Sequence, residues 1–233
     1  KTYFTSKFEQ AGTSDAVYEN FELPTIAAFP RLITESPGLQ GLNVTIPYKE
    51  EVLPYLTTMN KVVREIGACN CINIKDGKLV GFNTDVVGFR QSLEPKLKPH
   101  HQRALVLGTG GAAKAIWYVL NELGIGYKKV SRNKEGADFT YDDLSPDVLA
   151  EYLLVINTTP LGMFPNTDAA PSLPYAAIGS KHFLFDIIYN PEKTKFLEEG
   201  EKQGAQVCNG YEMLIGQAEE SWRIWTSEDI GLL

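Results

Sequence analysis

Ala104-Leu105-Val106-Leu107-Gly108-Thr109-Gly110-Gly111-Ala112-Ala113 is the stretch on which the reading of the whole chain turns. Its first four residues form an apolar run of strand length. A glycine turn follows, and a helical pattern then continues to about Leu123. The turn fits G-x-G-x-x-[GA] in the context that makes this pattern informative, directly after a strand and opening a helix. Gly108 permits a tight turn, Gly110 lets the backbone approach a pyrophosphate, and Ala113 lets the helix pack close to the sheet. The free N–H groups of the helix then face the phosphates. Gly108, Thr109, Gly110, Gly111 and Ala112 are therefore candidate cofactor residues; a tight turn without a ligand is the plainer alternative.

The next strand, Lys128 to Ser131, ends in Ser131-Arg132-Asn133-Lys134. An NAD site usually carries an acid there for the ribose hydroxyls. No acid is present, and a guanidinium suits a 2′-phosphate because it can bond bidentately. The expected cofactor is NADP, with Ser131, Arg132 and Asn133 at its ribose end. A solvated basic turn is the alternative. The stretch that follows, Asn133 to Thr140, is short and contains Gly136; Lys134 is its one further cationic candidate.

Further outward, Leu153 to Asn157, Phe183 to Asp186 and Gln206 to Cys208 read as strands, and Met213 to Trp225 as a closing helix. Upstream, residues 1–12 read as a helix capped by Gly12. Tyr18 to Leu23 and Leu39 to Val44 look like strands with a helical stretch between them. Thr45 to Lys49 turns into a helix with Pro47 in its first turn. Residues 70–83 read as a hairpin around Asp76-Gly77. The polar segment 94–103 reads as a surface connection. Alternating strands and helices give an α/β fold with parallel sheets. The expected organisation is two α/β domains around a cleft. Residues 1–85 with 210–233 form a substrate-binding, catalytic domain, and 86–209 form a Rossmann-like NADP-binding domain.

Composition narrows the class. The 233 residues are 43% hydrophobic and 22% charged, enough for a sizeable core. The formal charge of −7 argues against a nucleic-acid partner. No apolar run reaches the roughly 18 residues of a membrane span. Three cysteines, Cys69, Cys71 and Cys208, make no disulfide framework and fit a reducing cytoplasm. They find no second pair that would complete a metal site.

Two segments place polar groups at the end of apolar strands: Asn43-Val44-Thr45-Ile46-Pro47-Tyr48-Lys49 and Asn83-Thr84-Asp85. In open α/β sheets that edge faces the ligand. Hydride transfer from a secondary alcohol needs a partner for the hydroxyl proton. Lysine can exchange that proton, and aspartate can orient the hydroxyl. Lys49 and Asp85 are the candidate catalytic pair, with Asn70 a third candidate. The bland alternatives are a solvated Lys49 and an Asp85 that caps the helix Val86 to Ser92.

Taken together, the motifs resemble one family. They are Asn43-Val44-Thr45-x-Pro47-x-Lys49, Gly67-Ala68-x-Asn70, Asn83-Thr84-Asp85-x-x-Gly88 and Gly108-x-Gly110-Gly111-Ala112. Later come Asn157-Thr158-Thr159-Pro160-Leu161-Gly162-Met163, Asp186-x-x-Tyr189 and Gly210-x-x-Met213-Leu214-x-x-Gln217-Ala218. In this order, over nearly the whole chain, they resemble shikimate dehydrogenase. The resemblance implies reversible NADPH-dependent reduction of 3-dehydroshikimate to shikimate, in aromatic amino acid biosynthesis. It implies Lys49 and Asp85 as the catalytic pair. Thr45, Asn70, Asp85 and Gln217 would contact the ring hydroxyls, and Tyr189 the substrate carboxylate. Thr158, Gly210 and Met213 would lie along the cofactor, the last two near the nicotinamide. It also implies a preceding strand ending in a Ser-x-Ser turn, which falls before Lys1. The partner is a small molecule, the assembly a monomer or homodimer. Competing readings are a quinate/shikimate dehydrogenase, a methylenetetrahydrofolate dehydrogenase, and a binding protein without turnover.

Overall fold

The computed structural model describes residues 2–13 and 15–227. The chain divides into two compact units, 1–38 and 39–233.

In the first unit, α1 spans Thr2–Gln10 and α2 spans Phe29–Glu35. Gly12 follows α1 in the left-handed region, and the Thr13 N–H reaches back to the Phe8 carbonyl at 3.0 Å, closing the helix end. Pro30 sits in the first turn of α2, where its missing N–H costs nothing. Residues 18–23, expected as a strand, form none. The Tyr18 ring stacks on Phe4 of α1 at 4.6 Å, so the segment is held by ring packing rather than by a ladder.

The second unit holds two sheets. The larger is built from β5 (Arg103–Leu107), β6 (Gly126–Ser131), β7 (Phe139–Thr140), β8 (Leu154–Asn157), β9 (Phe183–Asp186) and β10 (Gln206–Cys208). Every pair is parallel, and the order is β10-β9-β8-β5-β6-β7. The order reverses at β5, so the crevice at the carboxyl ends of β5 and β8 is where such sheets bind ligands. Parallel sheets are covered on both faces, which explains the unbroken apolar runs. Alternate residues enter different cores. Ala104, Val106, Ile156 and Phe185 join α4 (Asp85–Leu93) and α5 (Gly111–Glu122) on one side. Leu105, Leu107, Val155 and Leu184 join α6 (Pro146–Glu151) and α7 (Lys195–Lys202) on the other.

The smaller sheet comprises β1 (Gly41–Asn43), β2 (Thr58–Met59), β3 (Cys71–Lys75) and β4 (Lys78–Phe82), in the order β1-β3-β4-β2. It is mixed rather than parallel: β1–β3 and β3–β4 are antiparallel, and only β2–β4 is parallel. Asp76 and Gly77 both take positive φ, 50° and 71°, the pattern of a two-residue hairpin turn. Cys69 and Cys71 are buried free thiols, and Cys69 Sγ donates to the Cys71 carbonyl at 3.3 Å. Short α3 (Lys61–Ile66) leads into this sheet, and α8 (Tyr211–Thr226) packs on it. Trp225 Nε1 of α8 donates to the Ile72 carbonyl at 3.0 Å. Gly88 allows α4 and α8 to touch: a Cβ there would lie 2.4 Å from the Met213 carbonyl oxygen.

Two further expectations change. Residues 46–52 form turns, not a helix. The Lys49 carbonyl accepts the Cys69 N–H at 2.7 Å, so it is taken by a neighbouring segment instead of a helical i+4 donor. The connection 94–103 is largely exposed, but His101 is buried. Its Nδ1 accepts the Lys98 N–H at 3.0 Å and its Nε2 meets the Lys181 carbonyl at 3.1 Å. Among the described residues, no helix is long and apolar enough to cross a membrane.

Candidate active site

Lys49 Nζ donates to Asp85 Oδ2 at 2.6 Å, and both side chains are largely buried. A buried ion pair is tolerated only when its other polar atoms are satisfied. Here the other carboxylate oxygen, Oδ1, accepts from Asn70 Nδ2 at 2.9 Å. Asp85 is the first residue of α4, where the helix dipole favours a carboxylate. Thr84, not Asp85, occupies the capping position, which corrects the capping alternative. Asn70 is fixed in turn. Its Oδ1 accepts the Thr84 N–H at 2.6 Å, and its backbone bonds both Val44 and Phe82. The hairpin thus carries Asn70 in and Asp85 out, and the turn after β1 delivers Lys49 between them.

A hydroxyl chain extends the cluster. Thr84 Oγ1 lies 3.2 Å from Ser221 Oγ and 3.4 Å from Gln217 Oε1, and Ser221 Oγ lies 3.1 Å from Asn43 Oδ1. Asn70, Asp85 and Gln217 are therefore brought together as expected, with Lys49. Ser221 is the residue that sequence reading missed. Its signal is the i+4 spacing from Gln217, which puts both on one face of α8. Thr45 is exposed and follows Val44, whose N–H donates to the Asn70 carbonyl at 2.8 Å; Tyr189 is 48% exposed after β9, and Met213 is buried in the core.

The glycine turn lies beside this cluster. Gly108 has φ +109°, and a Cβ there would meet Thr158 Oγ1 at 2.6 Å. Thr158 in turn donates from both N and Oγ1 to the Leu107 carbonyl, at 2.9 and 2.7 Å. The loops after β5 and β8 are thereby locked edge to edge. Nothing stands within 4 Å of a Cβ on Gly110, and α5 begins with no side-chain cap. Its first N–H groups have no intrahelical partner, which is the donor set a pyrophosphate requires. Arg132 is exposed past β6 and, among the described residues, joins no ion pair, whereas Lys134 lies 3.8 Å from Asp143. These features fit an NADP molecule: backbone donors at Gly110 to Ala112 and a free guanidinium at the ribose end. A Cβ on Gly111 would lie 3.4 Å from Lys49 Cβ, so the ion pair and the turn share one site. Lys114 of α5 also pairs with Glu50 at 2.5 Å.

The shikimate dehydrogenase substrate binding domain family matches residues 2–72. The NADP(+) shikimate dehydrogenase of Caldicellulosiruptor saccharolyticus is 38% identical, over 91% of this chain and 82% of its own. The chain belongs to the shikimate dehydrogenase family. The Staphylococcus aureus NADP(+) shikimate dehydrogenase is 36% identical over 96% of this chain and 86% of its own. Among solved structures, the Thermus thermophilus shikimate 5-dehydrogenase in complex with NADP(H) and shikimate superposes with a TM-score of 0.82. It is 31% identical and covers 94% of this chain and 85% of its own.

Within this shikimate dehydrogenase family member, Asp186 is a buried acid that sequence reading noted only as part of a motif. Asn157 Nδ2 and the Ile188 N–H donate to its Oδ1 at 3.1 and 3.0 Å, and Thr194 Oγ1 donates to Oδ2 at 2.6 Å. Burial outweighs these donors and pushes the carboxyl up to about 7. Between about pH 4 and pH 7 the folded chain keeps this proton while the unfolded chain has lost it. The stability from this group is thus fullest below about pH 4 and declines as pH rises to about 7. Asp186→Asn removes the dependence. The Tm of the variant relative to the unaltered chain is expected to rise between about pH 5 and about pH 8. A difference that stays flat across that range in thermal melts would mean Asp186 is ionised throughout.

Proposed function

We propose that this chain catalyses the reversible NADPH-dependent reduction of 3-dehydroshikimate to shikimate, with Lys49 and Asp85 as its catalytic pair. One observation carries the reading: an Asn70-anchored Lys49–Asp85 pair lies directly against the glycine turn. The turn residues Gly108 to Ala112 would hold the pyrophosphate, Ser131, Arg132 and Asn133 the ribose phosphate, and Thr158, Gly210 and Met213 the nicotinamide side. NADP, when bound, supplies or takes up the hydride. The residues handle the proton. Both Asp85 oxygens are already engaged, by Lys49 and Asn70, so the carboxylate acts as the anchor. An ammonium has three donors, and only one Lys49 donor is spent on Asp85. Lys49 therefore hydrogen-bonds the substrate oxygen and gives its proton to it in reduction; in oxidation the amine takes the hydroxyl proton back. Asn70, Thr45 and Gln217 orient the ring hydroxyls, and Tyr189 meets the carboxylate.

The organisation proposed with this reading is a catalytic domain of residues 1–85 and 210–233 and an NADP domain of 86–209, a division different from the compact units 1–38 and 39–233. Free thiols throughout suit a reducing compartment such as the cytoplasm. The test is NADP+ reduction followed by absorbance, with shikimate and quinate side by side. Turnover of shikimate alone supports the assignment. Turnover of both moves the chain to the quinate/shikimate group, and binding of NADP+ without turnover of either refutes the proposed chemistry.

A further inference from the structure

Asp186 has no place in the chemistry above, yet it is among the most deeply buried titratable groups of the described residues. Burying a carboxyl is costly, so its position needs a reason. It joins no ion pair among the described residues, and its three hydrogen-bond donors come from three different segments. The first is Asn157, at the end of β8 and directly opposite Asp186 in the ladder. The Oδ1 of Asn157 accepts both the N–H and the hydroxyl of Thr159, at 3.0 and 2.7 Å. This shapes the turn that carries Thr158 against Gly108. The second is Ile188, whose carbonyl accepts the Gly210 N–H at 2.9 Å. Gly210 comes so close to this segment that a Cβ on it would lie 2.0 Å from the Ile187 carbonyl oxygen. The third is Thr194, which caps α7.

We propose that Asp186 is a positioning residue for the cofactor site, whose carboxyl group holds the Asn157–Thr159 turn and the Ile188–Gly210 contact in register with each other. The inference rests on the reading that these two segments flank the nicotinamide. The requirement is for acceptors at fixed places, not for charge. In the protonated acid, Oδ1 still accepts from Asn157 and Ile188, while the O–H donates to Thr194 Oγ1. Asparagine reproduces that pattern with its own carbonyl and NH2.

The test uses the full chain with Asp186→Asn and Asp186→Ala. Dissociation constants for NADP+ and for shikimate are measured separately by titration calorimetry, with Tm as a folding check. Asp186→Asn is expected to keep NADP+ affinity within about 3-fold, because every bond survives. Asp186→Ala strands three buried donors and is expected to weaken NADP+ by about 10-fold or more. Shikimate affinity should stay within about 3-fold in both, since of the proposed substrate contacts only Tyr189, next to Ile188, is tied to these bonds, and Thr45, Asn70, Asp85 and Gln217 are not. Equal losses for both ligands, no loss in the alanine variant, or an asparagine variant as damaged as alanine would each overturn the proposal. If the alanine variant does not fold, Thr194→Val removes the Oδ2 bond, together with the cap on the Leu197 N–H, and leaves the Asn157 and Ile188 bonds in place. It is then expected to weaken NADP+ about 3-fold with shikimate unchanged, and an unaltered NADP+ affinity overturns the proposal. An unaltered chain that binds no NADP+ would refute the functional reading, and this inference with it. Normal binding there with an unaffected alanine variant refutes this inference alone.

Discussion

Replacing Lys49 with alanine is expected to lower turnover of shikimate by roughly 100- to 10,000-fold, the usual worth of a positioned proton-transfer group. Affinity for shikimate should fall far less, by about 10-fold for the one hydrogen bond lost, because Asn70, Thr45 and Gln217 keep their places. The alanine variant also leaves Asp85 buried with Asn70 as its remaining anchor, a destabilising situation in its own right. Lys49→Arg separates the two effects. A guanidinium keeps the ion pair but does not release its proton in proteins. The arginine variant is therefore expected to retain Tm and yet to lose turnover on the scale of the alanine variant. Steady-state kinetics with calorimetric shikimate binding read both quantities. A loss confined to the Michaelis constant would demote Lys49 to a binding residue.

The second large effect is expected at Arg132. In Arg132→Ala, kcat/KM for NADP+ should fall by roughly 10- to 100-fold, as one or two charge-assisted bonds to a 2′-phosphate are lost. NAD+ carries no such phosphate, and its kcat/KM should move by less than about 3-fold. The side chain is exposed and joins no ion pair among the described residues, so its removal breaks no salt bridge. Parallel loss with both cofactors would remove the 2′-phosphate assignment and leave Arg132 a solvated residue.

The parallel sheet was legible because its strands are unbroken apolar runs that end in turn residues, and the strands 183–186 and 206–208 fall where the runs predict. The two-residue strands β2 and β7 were not legible, since so short a run has no period to read. The turn after Thr45 misled because its helix-like composition is overridden by a long-range bond from Cys69 to Lys49. In the candidate site, Lys49, Asp85 and Asn70 were singled out from motif context and Gln217 from the family resemblance, and the fold brings the four together. Ser221 and Asp186 were not singled out for any role, because a serine in a helix and an acid at a strand end look ordinary until burial is known. The hydroxyl chain from Thr84 through Ser221 to Asn43 joins positions 43, 84 and 221, a juxtaposition that only the packing of α8 on the smaller sheet creates.

The two thiols of that smaller sheet have a practical consequence. Burial pushes Cys69 up to about 12 and Cys71 higher still, so neither offers an appreciable thiolate while the sheet is closed. An alkylating reagent reaches them only during opening of the hairpin that also carries Asn70. Their labelling rate is a built-in clock for that opening. Any ligand held by Asn70 slows the clock in proportion to its occupancy, which makes substrate binding measurable without turnover or cofactor.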